Sequence, residues 1–122
     1  MLATGVDIIE IERIERAVAR WGDRFLARVY TPREIAFCRG RIPELAARFA
    51  AKEAISKALG LGIWWRGGIT WQQAEVLPDR IGQPQVHLHG RAAQRAADLG
   101  LREWAISLSH SRDYAVAFVV AM

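Results

Sequence analysis

Cysteine is nearly absent from this sequence, since Cys38 is the single example among 122 residues. One cysteine excludes an internal disulfide and favours a reducing compartment. Long hydrophobic runs are missing as well, because no apolar run approaches the roughly 18 residues that a membrane-spanning helix needs. The first residues also lack the basic segment and apolar stretch typical of a signal peptide. The sequence therefore predicts a soluble, cytoplasmic protein with no membrane association.

Lysine is scarce too, because the positive charge is carried by fifteen arginines and only two lysines. The formal net charge of +4 favours an anionic partner, which leaves phosphate-rich small molecules, nucleic acid and acidic proteins open. With 52% hydrophobic residues, the chain can bury a core without disulfides or metals. It contains no internal repeat, low-complexity tract or linker, and we expect a single domain over residues 1–122.

The most regular stretch is Ile42–Leu59, which is rich in strong helix formers, has Pro43 in its first turn and is followed by Gly60. It predicts a long helix with alanines on one side and larger apolar residues on the other, so that both sides are packed. Glu53 and Lys57 are one turn apart, at the seam between the two sides. A Glu/Lys pair at this spacing is most often a weak surface pair, but its position here favours a functional role.

The remaining elements predict an α+β fold in which an antiparallel sheet packs against the long central helix. Residues 2–9 read as a strand, with Val6 and Ile8 expected to face the core and Asp7 the opposite side. Further strands are expected at residues 70–77 and 85–89, and a hairpin ends the chain. Shorter helices are expected after the N-cap Thr31 and at residues 91–99.

The first helix, residues 11–21, carries a basic stripe. Its apolar residues repeat at helical spacing, and arginines line a different face and continue beyond it: Arg13, Arg16, Arg20, Arg24 and Arg28. Such a stripe is most often solvated surface. A docking surface for an acidic partner is the competing interpretation, and the residues alone leave both open.

Two features near the middle and end of the chain carry weaker signals. The loop after the central helix is rich in glycine but lacks the spacing of a P-loop. Its Trp64 and Trp65 suggest a hydrophobic cover or a subunit contact, and no role is predicted for the stretch from Trp64 to Trp71. His110 is flanked by Ser109 and Ser111, but neighbours on a strand face opposite sides, so a Ser–His dyad is not expected.

Three segments occur in an order that resembles a known family. These segments are G-V-D-I-I-E-I-E-R-I from residue 5, R-F-A-A-K-E-A-I-S-K-A-L-G-L-G from residue 48 and S-L-S-H-S-R-D-Y-A from residue 107. Together they closely resemble the holo-[acyl-carrier-protein] synthases, the small bacterial 4'-phosphopantetheinyl transferases. The resemblance implies Mg²⁺-dependent transfer of 4'-phosphopantetheine from coenzyme A to a serine of apo-acyl carrier protein, which releases adenosine 3',5'-bisphosphate.

The same resemblance implies roles for the acids and the lysine. Asp7 and Glu53 match the magnesium ligands, and hard Mg²⁺ takes one or two carboxylates together with waters and substrate phosphates. Lys57 matches a contact to the pyrophosphate of coenzyme A. Glu53 is also implied as a group that helps to remove the proton of the incoming serine.

Other matched residues imply the coenzyme A site and the protein partners. Arg48 and His110 resemble phosphate contacts, and Gly82 and Pro84 resemble a turn near the adenine. The resemblance also implies that acidic carrier proteins dock on the first helix, where Arg13 and Arg24 match by position. Arg16 and Arg20 are added on spacing alone. The family also implies a homotrimer whose active sites lie between adjacent subunits.

A different class of function is supported by the isoelectric point near 10.0 and by the interleaved Arg and Trp residues. These features suit a small basic nucleic-acid-binding module. The sequence nevertheless lacks a recognisable nucleic-acid-reading motif, such as paired stacking aromatics on adjacent strands. We therefore expect the transferase and no nucleic-acid partner.

Overall fold

The computed structural model describes residues 1–63 and 66–122. In chain order the elements are β1 (Ala3–Glu10), α1 (Ile11–Trp21), α2 (Asp23–Val29), α3 (Pro32–Cys38), α4 (Ile42–Leu59), a 3-10 turn (Trp71–Gln73), β2 (Ala74–Pro78), β3 (Pro84–Leu88), α5 (Gly90–Leu99), β4 (Trp104–His110) and β5 (Tyr114–Ala121). Within these described ranges, no helix is long and apolar enough to cross a membrane.

Helix α4 lies at the centre of the molecule, between the larger sheet on one side and β2 with the shorter helices on the other. The larger sheet is antiparallel with the order β1-β5-β4. The alanines of α4 are buried, as are its larger residues Leu45, Ile55 and Leu59. The predicted α+β fold, with an antiparallel sheet on a long helix packed on both sides, is confirmed.

The predicted orientation of β1 was wrong. Val6 and Ile8 are 53% and 63% exposed, whereas Gly5 and Ile9 are buried and Asp7 shares their face. Strand alternation shows which residues share a face but not which face meets the core. Here the face with the smaller Gly5 packs on α4. The larger apolar residues are left on the outer face of the sheet, where Val6 lies opposite Phe118 of β5.

The N-terminal helices differ from prediction in two places. Ile11 and Ile14 are buried as expected, but Trp21 is 51% exposed and the Arg20 guanidinium lies 4.9 Å from the centre of its ring. The chain then turns at Gly22, which has a φ of 53°, and α2 begins. The basic stripe is therefore divided between two helices, with Arg24 on the second. The N-cap predicted at Thr31 is present at the start of α3, where Thr31 and Glu34 form a capping box.

The smaller sheet pairs β2 with β3 in antiparallel register. Its first strand begins at Ala74 rather than at residue 70, because residues 71–73 form a 3-10 turn. The hairpin turn is held by Asp79, whose Oδ1 accepts hydrogen bonds from the backbone N–H groups of Ile81 and Gln83, both at 2.9 Å. This turn presents Gly82 with a φ of 89°.

A buried ion pair fastens the smaller sheet to α4. Lys52 Nζ lies 2.7 Å from Glu34 Oε1, and both side chains are fully buried. Lys52 also donates to the carbonyl oxygens of Trp71 and Ala74, and Glu34 Oε2 accepts from the N–H of Val76. Burial lowers the pKa of Lys52, and the Glu34 carboxylate opposes that shift. This pair was not predicted from the sequence, because a lysine in a helix is usually exposed.

Candidate functional site

Asp7 and Lys57 meet where β1 crosses α4. Lys57 Nζ donates to Asp7 Oδ1 at 3.1 Å and to the carbonyl oxygen of Val6 at 2.9 Å. The lysine side chain is 53% exposed, so this ion pair contributes little to stability. The ammonium therefore stays accessible to an anionic ligand. Two groups that are 50 residues apart in sequence form one side of the candidate site.

Glu53 lies one turn before Lys57 on α4, and the two residues line the same cleft of about 460 Å³. Partial burial raises the pKa of Glu53, and the Asp7 carboxylate raises it further. The positive charges of Lys57 and Arg13 act in the opposite direction. The two carboxylates are thus close enough to repel each other, which is the situation that a bound cation relieves.

The donor set suits a hard divalent cation. Two carboxylates with nearby solvent match the one or two acidic ligands that Mg²⁺ usually takes from a protein. Among residues 1–63 and 66–122, no group of three or more His, Cys, Asp or Glu side chains could hold a metal ion. A dedicated cage for zinc or calcium is therefore not found in the described part of the chain.

The charges around Glu53 predict opposite shifts of its pKa in two variants. Asp7→Asn should lower the pKa of Glu53, because it removes the repelling carboxylate, and Lys57→Met should raise it, because it removes an attracting ammonium. Titration of the Glu53 side-chain carbon by NMR in metal-free protein measures both shifts. Asp98→Asn on α5 is the control and should leave the titration of Glu53 unchanged. Shifts of the same sign in the first two variants would contradict this arrangement.

A second cavity, of about 600 Å³, lies between α4, the hairpin turn and β4. It brings together Arg48, Gly82, Pro84 and His110, which the family resemblance assigned to coenzyme A. Arg48 is nearly buried and is held by the carbonyl oxygen of Val76 at 3.2 Å and by the Glu44 carboxylate at 2.9 Å. His110 is exposed at the end of β4. The four residues thus line one cavity despite their separation in sequence.

The two cavities face different sides of α4. Arg48 and Glu53 are five residues apart, which corresponds to a rotation of about 140° around a helix. We call the first cavity, which Glu53 and Lys57 line, the reaction cleft, and we call the second the Arg48 cavity. Neither Glu53 nor Lys57 lines the Arg48 cavity. Within one chain, Glu53 and Lys57 therefore line a different cavity from the residues that the family resemblance assigned to coenzyme A phosphates and adenine.

Comparison with known proteins decides the family. The model of the 4'-phosphopantetheinyl transferase superfamily matches residues 3–119. The chain belongs to this superfamily. The holo-[acyl-carrier-protein] synthase of Herpetosiphon aurantiacus is 54% identical over 126 residues, covering 100% of this chain and 99% of that protein. The synthase of Dehalococcoides mccartyi is 52% identical over 121 residues, covering 99% and 98%.

Solved structures of the superfamily share the fold. The Helicobacter pylori holo-[acyl-carrier-protein] synthase in complex with coenzyme A has a TM-score of 0.87 at 31% identity, with 98% of this chain and 99% of that chain covered. The coenzyme A complex of the Chronobacterium ammoniagenes synthase has a TM-score of 0.84 at 30% identity, with 99% and 96% covered. The agreement extends along the whole of each chain.

The basic residues predicted as a stripe are exposed on the first two helices of this transferase. Arg13, Arg16 and Arg20 are exposed on α1, and Arg24 is exposed on α2. The positive charge of Arg13 lowers the pKa of Glu53, so the stripe interacts electrostatically with this residue of the cleft.

Two residues that line the same cleft as Glu53 and Lys57 were not predicted from sequence. Ser56 lines the cleft and donates from Oγ to the carbonyl oxygen of Glu53 at 2.7 Å. Trp71 lines its far wall and packs on Phe49, with ring centres 4.6 Å apart. Only the spacing of Ser56 from Glu53 on one helix was a usable signal. The predictions for Trp64 and Trp65 lie outside the described residues.

Proposed function

We propose that this protein transfers 4'-phosphopantetheine from coenzyme A to a serine hydroxyl of an apo-acyl carrier protein, giving holo-carrier protein and adenosine 3',5'-bisphosphate. The observation that carries the proposal is that Lys57 pairs with Asp7 and lines one cleft with Glu53, in a chain of this superfamily. The relatives named holo-[acyl-carrier-protein] synthase support the same reaction over the full length of the chain.

The proposed magnesium ligands are Asp7 and Glu53. Their mutual repulsion and the absence of a larger ligand group among the described residues fit an ion that takes its other ligands from water and substrate phosphates. When bound, Mg²⁺ would withdraw negative charge from the pyrophosphate of coenzyme A. The exposed Lys57 ammonium would contact the same pyrophosphate and stabilise the phosphate that leaves.

The proton of the incoming serine must go to a base as its oxygen bonds to the phosphorus that carries the pantetheine arm. Glu53, which lines the cleft with Lys57, is the residue that we propose helps to remove this proton. The bond from that phosphorus to the bridging oxygen of the pyrophosphate breaks in the same step. That oxygen keeps the electron pair and leaves as part of the 5'-phosphate of adenosine 3',5'-bisphosphate.

The adenosine end of coenzyme A would occupy the second cavity. Arg48 and His110 supply donors for its phosphates, and the turn with Gly82 and Pro84 lies beside them. The volume of about 600 Å³ is within the range of ordinary small-molecule sites. Crystal structures of two superfamily members in complex with coenzyme A support the use of this ligand.

The protein is proposed to be a homotrimer with active sites shared between adjacent subunits. The residues proposed for coenzyme A line two different cavities of one chain. A site shared between subunits would let the cleft of one chain and the Arg48 cavity of another hold the same molecule. The outer face of the larger sheet also exposes Val6, Ile8 and Phe118. Contiguous exposed apolar residues of this kind are typical of protein interfaces.

Carrier-protein docking is assigned to the basic stripe formed by Arg13, Arg16, Arg20 and Arg24. Acyl carrier proteins are the acidic partner that the family resemblance implies. Exposed charges of this kind mainly raise the association rate, and salt screens their effect. The positive charge of Arg13 lowers the pKa of Glu53, which supports docking of the carrier near the proposed reaction cleft.

The reaction is tested by incubating the protein with an apo-acyl carrier protein, coenzyme A and Mg²⁺ and following the carrier by mass spectrometry. We expect the mass of the carrier to increase by one phosphopantetheine. Carrier with its acceptor serine changed to alanine is the control and should gain nothing. Absence of transfer to several carriers, together with tight binding of oligonucleotides, would contradict the proposal and favour a nucleic-acid-binding module.

A further inference from the structure

Gly5 is the point of closest approach between β1 and α4. A Cβ atom at this position would lie 1.8 Å from the carbonyl oxygen of Ala54 and 3.1 Å from the backbone nitrogen of Ala58. These two backbone atoms belong to the same turn of the helix, so neither can move aside as a flexible side chain would. Gly5 is not among the glycines with positive φ. Glycine is therefore required here for space and not for an unusual backbone conformation.

The contact between Gly5 and α4 lies next to Asp7, Glu53 and Lys57 in sequence. Ala54 and Ala58 directly follow Glu53 and Lys57 on α4, and Gly5 is two residues before Asp7 on the same face of β1. The hydrogen bond between Lys57 and the carbonyl of residue 6 crosses from helix to strand immediately beside it. The distance between the backbones at this contact therefore sets how near the two carboxylates come to each other.

The distance between the two carboxylates matters because Mg²⁺ tolerates little variation in the positions of its ligands. Two oxygen ligands of one Mg²⁺ lie at most about 4.2 Å apart, since each is at about 2.1 Å from the ion in a near-ideal octahedron. A methyl group on Gly5 reaches ordinary contact only beyond 3.4 Å. The strand would then have to withdraw from the helix by about 1.5 Å to relieve the overlap.

We propose that Gly5 is a positioning residue for the metal site: its contact with the Ala54–Ala58 turn holds β1 close enough to α4 for Asp7 and Glu53 to share one divalent ion. This inference rests on the proposed function, because it assumes that these two acids bind the metal. It adds a role for a residue that touches neither substrate nor metal. Mutation of residues that orient metal ligands typically weakens metal binding about 10- to 100-fold.

The test compares Gly5→Ala with the parent protein in two binding measurements. Mn²⁺ binding is followed by the loss of its free-ion EPR signal, because Mn²⁺ takes the same oxygen ligands as Mg²⁺. Binding of adenosine 3',5'-bisphosphate is followed by calorimetry without metal. We expect Gly5→Ala to weaken Mn²⁺ binding about 10- to 100-fold and to leave nucleotide binding unchanged, because the Arg48 cavity is separate from this contact. Its transfer activity should recover in part at high Mg²⁺.

Gly100→Ala is the matched control for a general loss of stability. Gly100 has a φ of 75°, and a Cβ atom added there would meet no atom within 4 Å, so alanine strains the backbone without moving β1. Equal loss of Mn²⁺ affinity in both variants, or parent-like affinity in Gly5→Ala, would overturn the inference. If Gly5→Ala is insoluble, Ala58→Ser is tested in its place, because Ala58 is buried and its backbone nitrogen is one of the atoms that a Cβ at Gly5 would meet. It should then weaken Mn²⁺ binding in the same direction, and parent-like affinity would refute the proposal.

Measurements on the parent protein distinguish a failure of this inference from a failure of the proposed function. Mn²⁺ binding that is lost in both Asp7→Asn and Glu53→Gln supports the metal site itself. A parent protein that transfers phosphopantetheine without any divalent ion would overturn the metal role and this inference together. A parent that binds Mn²⁺ through both acids, with unchanged binding in Gly5→Ala, would overturn the inference alone.

Discussion

Glu53→Gln is expected to reduce phosphopantetheine transfer about 100- to 1,000-fold, the usual effect of removing one group that stabilises charge in the transition state. Glutamine keeps the size of the side chain but removes the negative charge that the proposed metal site needs. The fold should be unaffected. The pKa of Glu53 is raised in the folded protein, so its ionised form opposes folding above that pKa, and a neutral side chain does not.

Transfer to apo-carrier protein is measured by mass spectrometry under initial-rate conditions, and stability by thermal unfolding. Glu103→Gln makes the same chemical change at an exposed position between α5 and β4 and should leave both quantities unchanged. Asp7→Asn should lose transfer to a similar extent as Glu53→Gln. Activity near that of the parent in either acid variant would exclude the proposed metal ligands.

Local signals determined how much of the fold could be predicted. Helix α4 runs from Ile42 to Leu59 as predicted, because Pro43 and Gly60 mark its ends and its residues are strong helix formers. The orientation of Asp7 was predicted wrongly from the same kind of local reasoning. Alternation in β1 could not show that the glycine face, and not the face of Val6 and Ile8, would pack on the helix.

Contacts between distant segments explain what could not be predicted. Lys52 adjoins Glu53 and belongs to the same run of charged residues, yet it is fully buried against Glu34 from α3. Likewise, the separation of Arg48 from the reaction cleft depends on where the hairpin with Gly82 and the end of β4 pack against α4. Neither arrangement follows from periodicity within a single element, because both depend on tertiary packing.

The exposed apolar face of the sheet and the proposed division of the coenzyme A site between two cavities lead to the same expectation about assembly. Val6 and Ile8 are exposed in a single chain. They would be buried if neighbouring subunits covered the outer face of β1 and β5. A ring of three chains can bury such faces on one another and bring the cleft of one subunit to the Arg48 cavity of the next. This expectation can be tested by activity as well as by molecular mass.

Two variants that are each defective in transfer should restore it when they assemble together. Glu53→Gln disables the reaction cleft, and His110→Ala removes a phosphate donor from the other cavity, which should reduce transfer roughly 10- to 100-fold. In any trimer that contains both kinds of chain, one site combines an intact cleft with an intact Arg48 cavity. Mixed trimers should therefore regain about one third of the parent activity, because one of their three equivalent sites is complete.

Co-expression of the two variants with different affinity tags, followed by purification through both tags, gives the mixed trimers. Light scattering should give the mass of three chains, and the transfer assay should give activity well above that of either variant alone. The control is a mixture of the two separately purified variants, assayed before subunits can exchange between trimers. This mixture should show no recovery of activity. If the complete site lay within one chain, every chain in the mixed assembly would carry a defect. Activity no higher than that of His110→Ala alone would then refute the shared site.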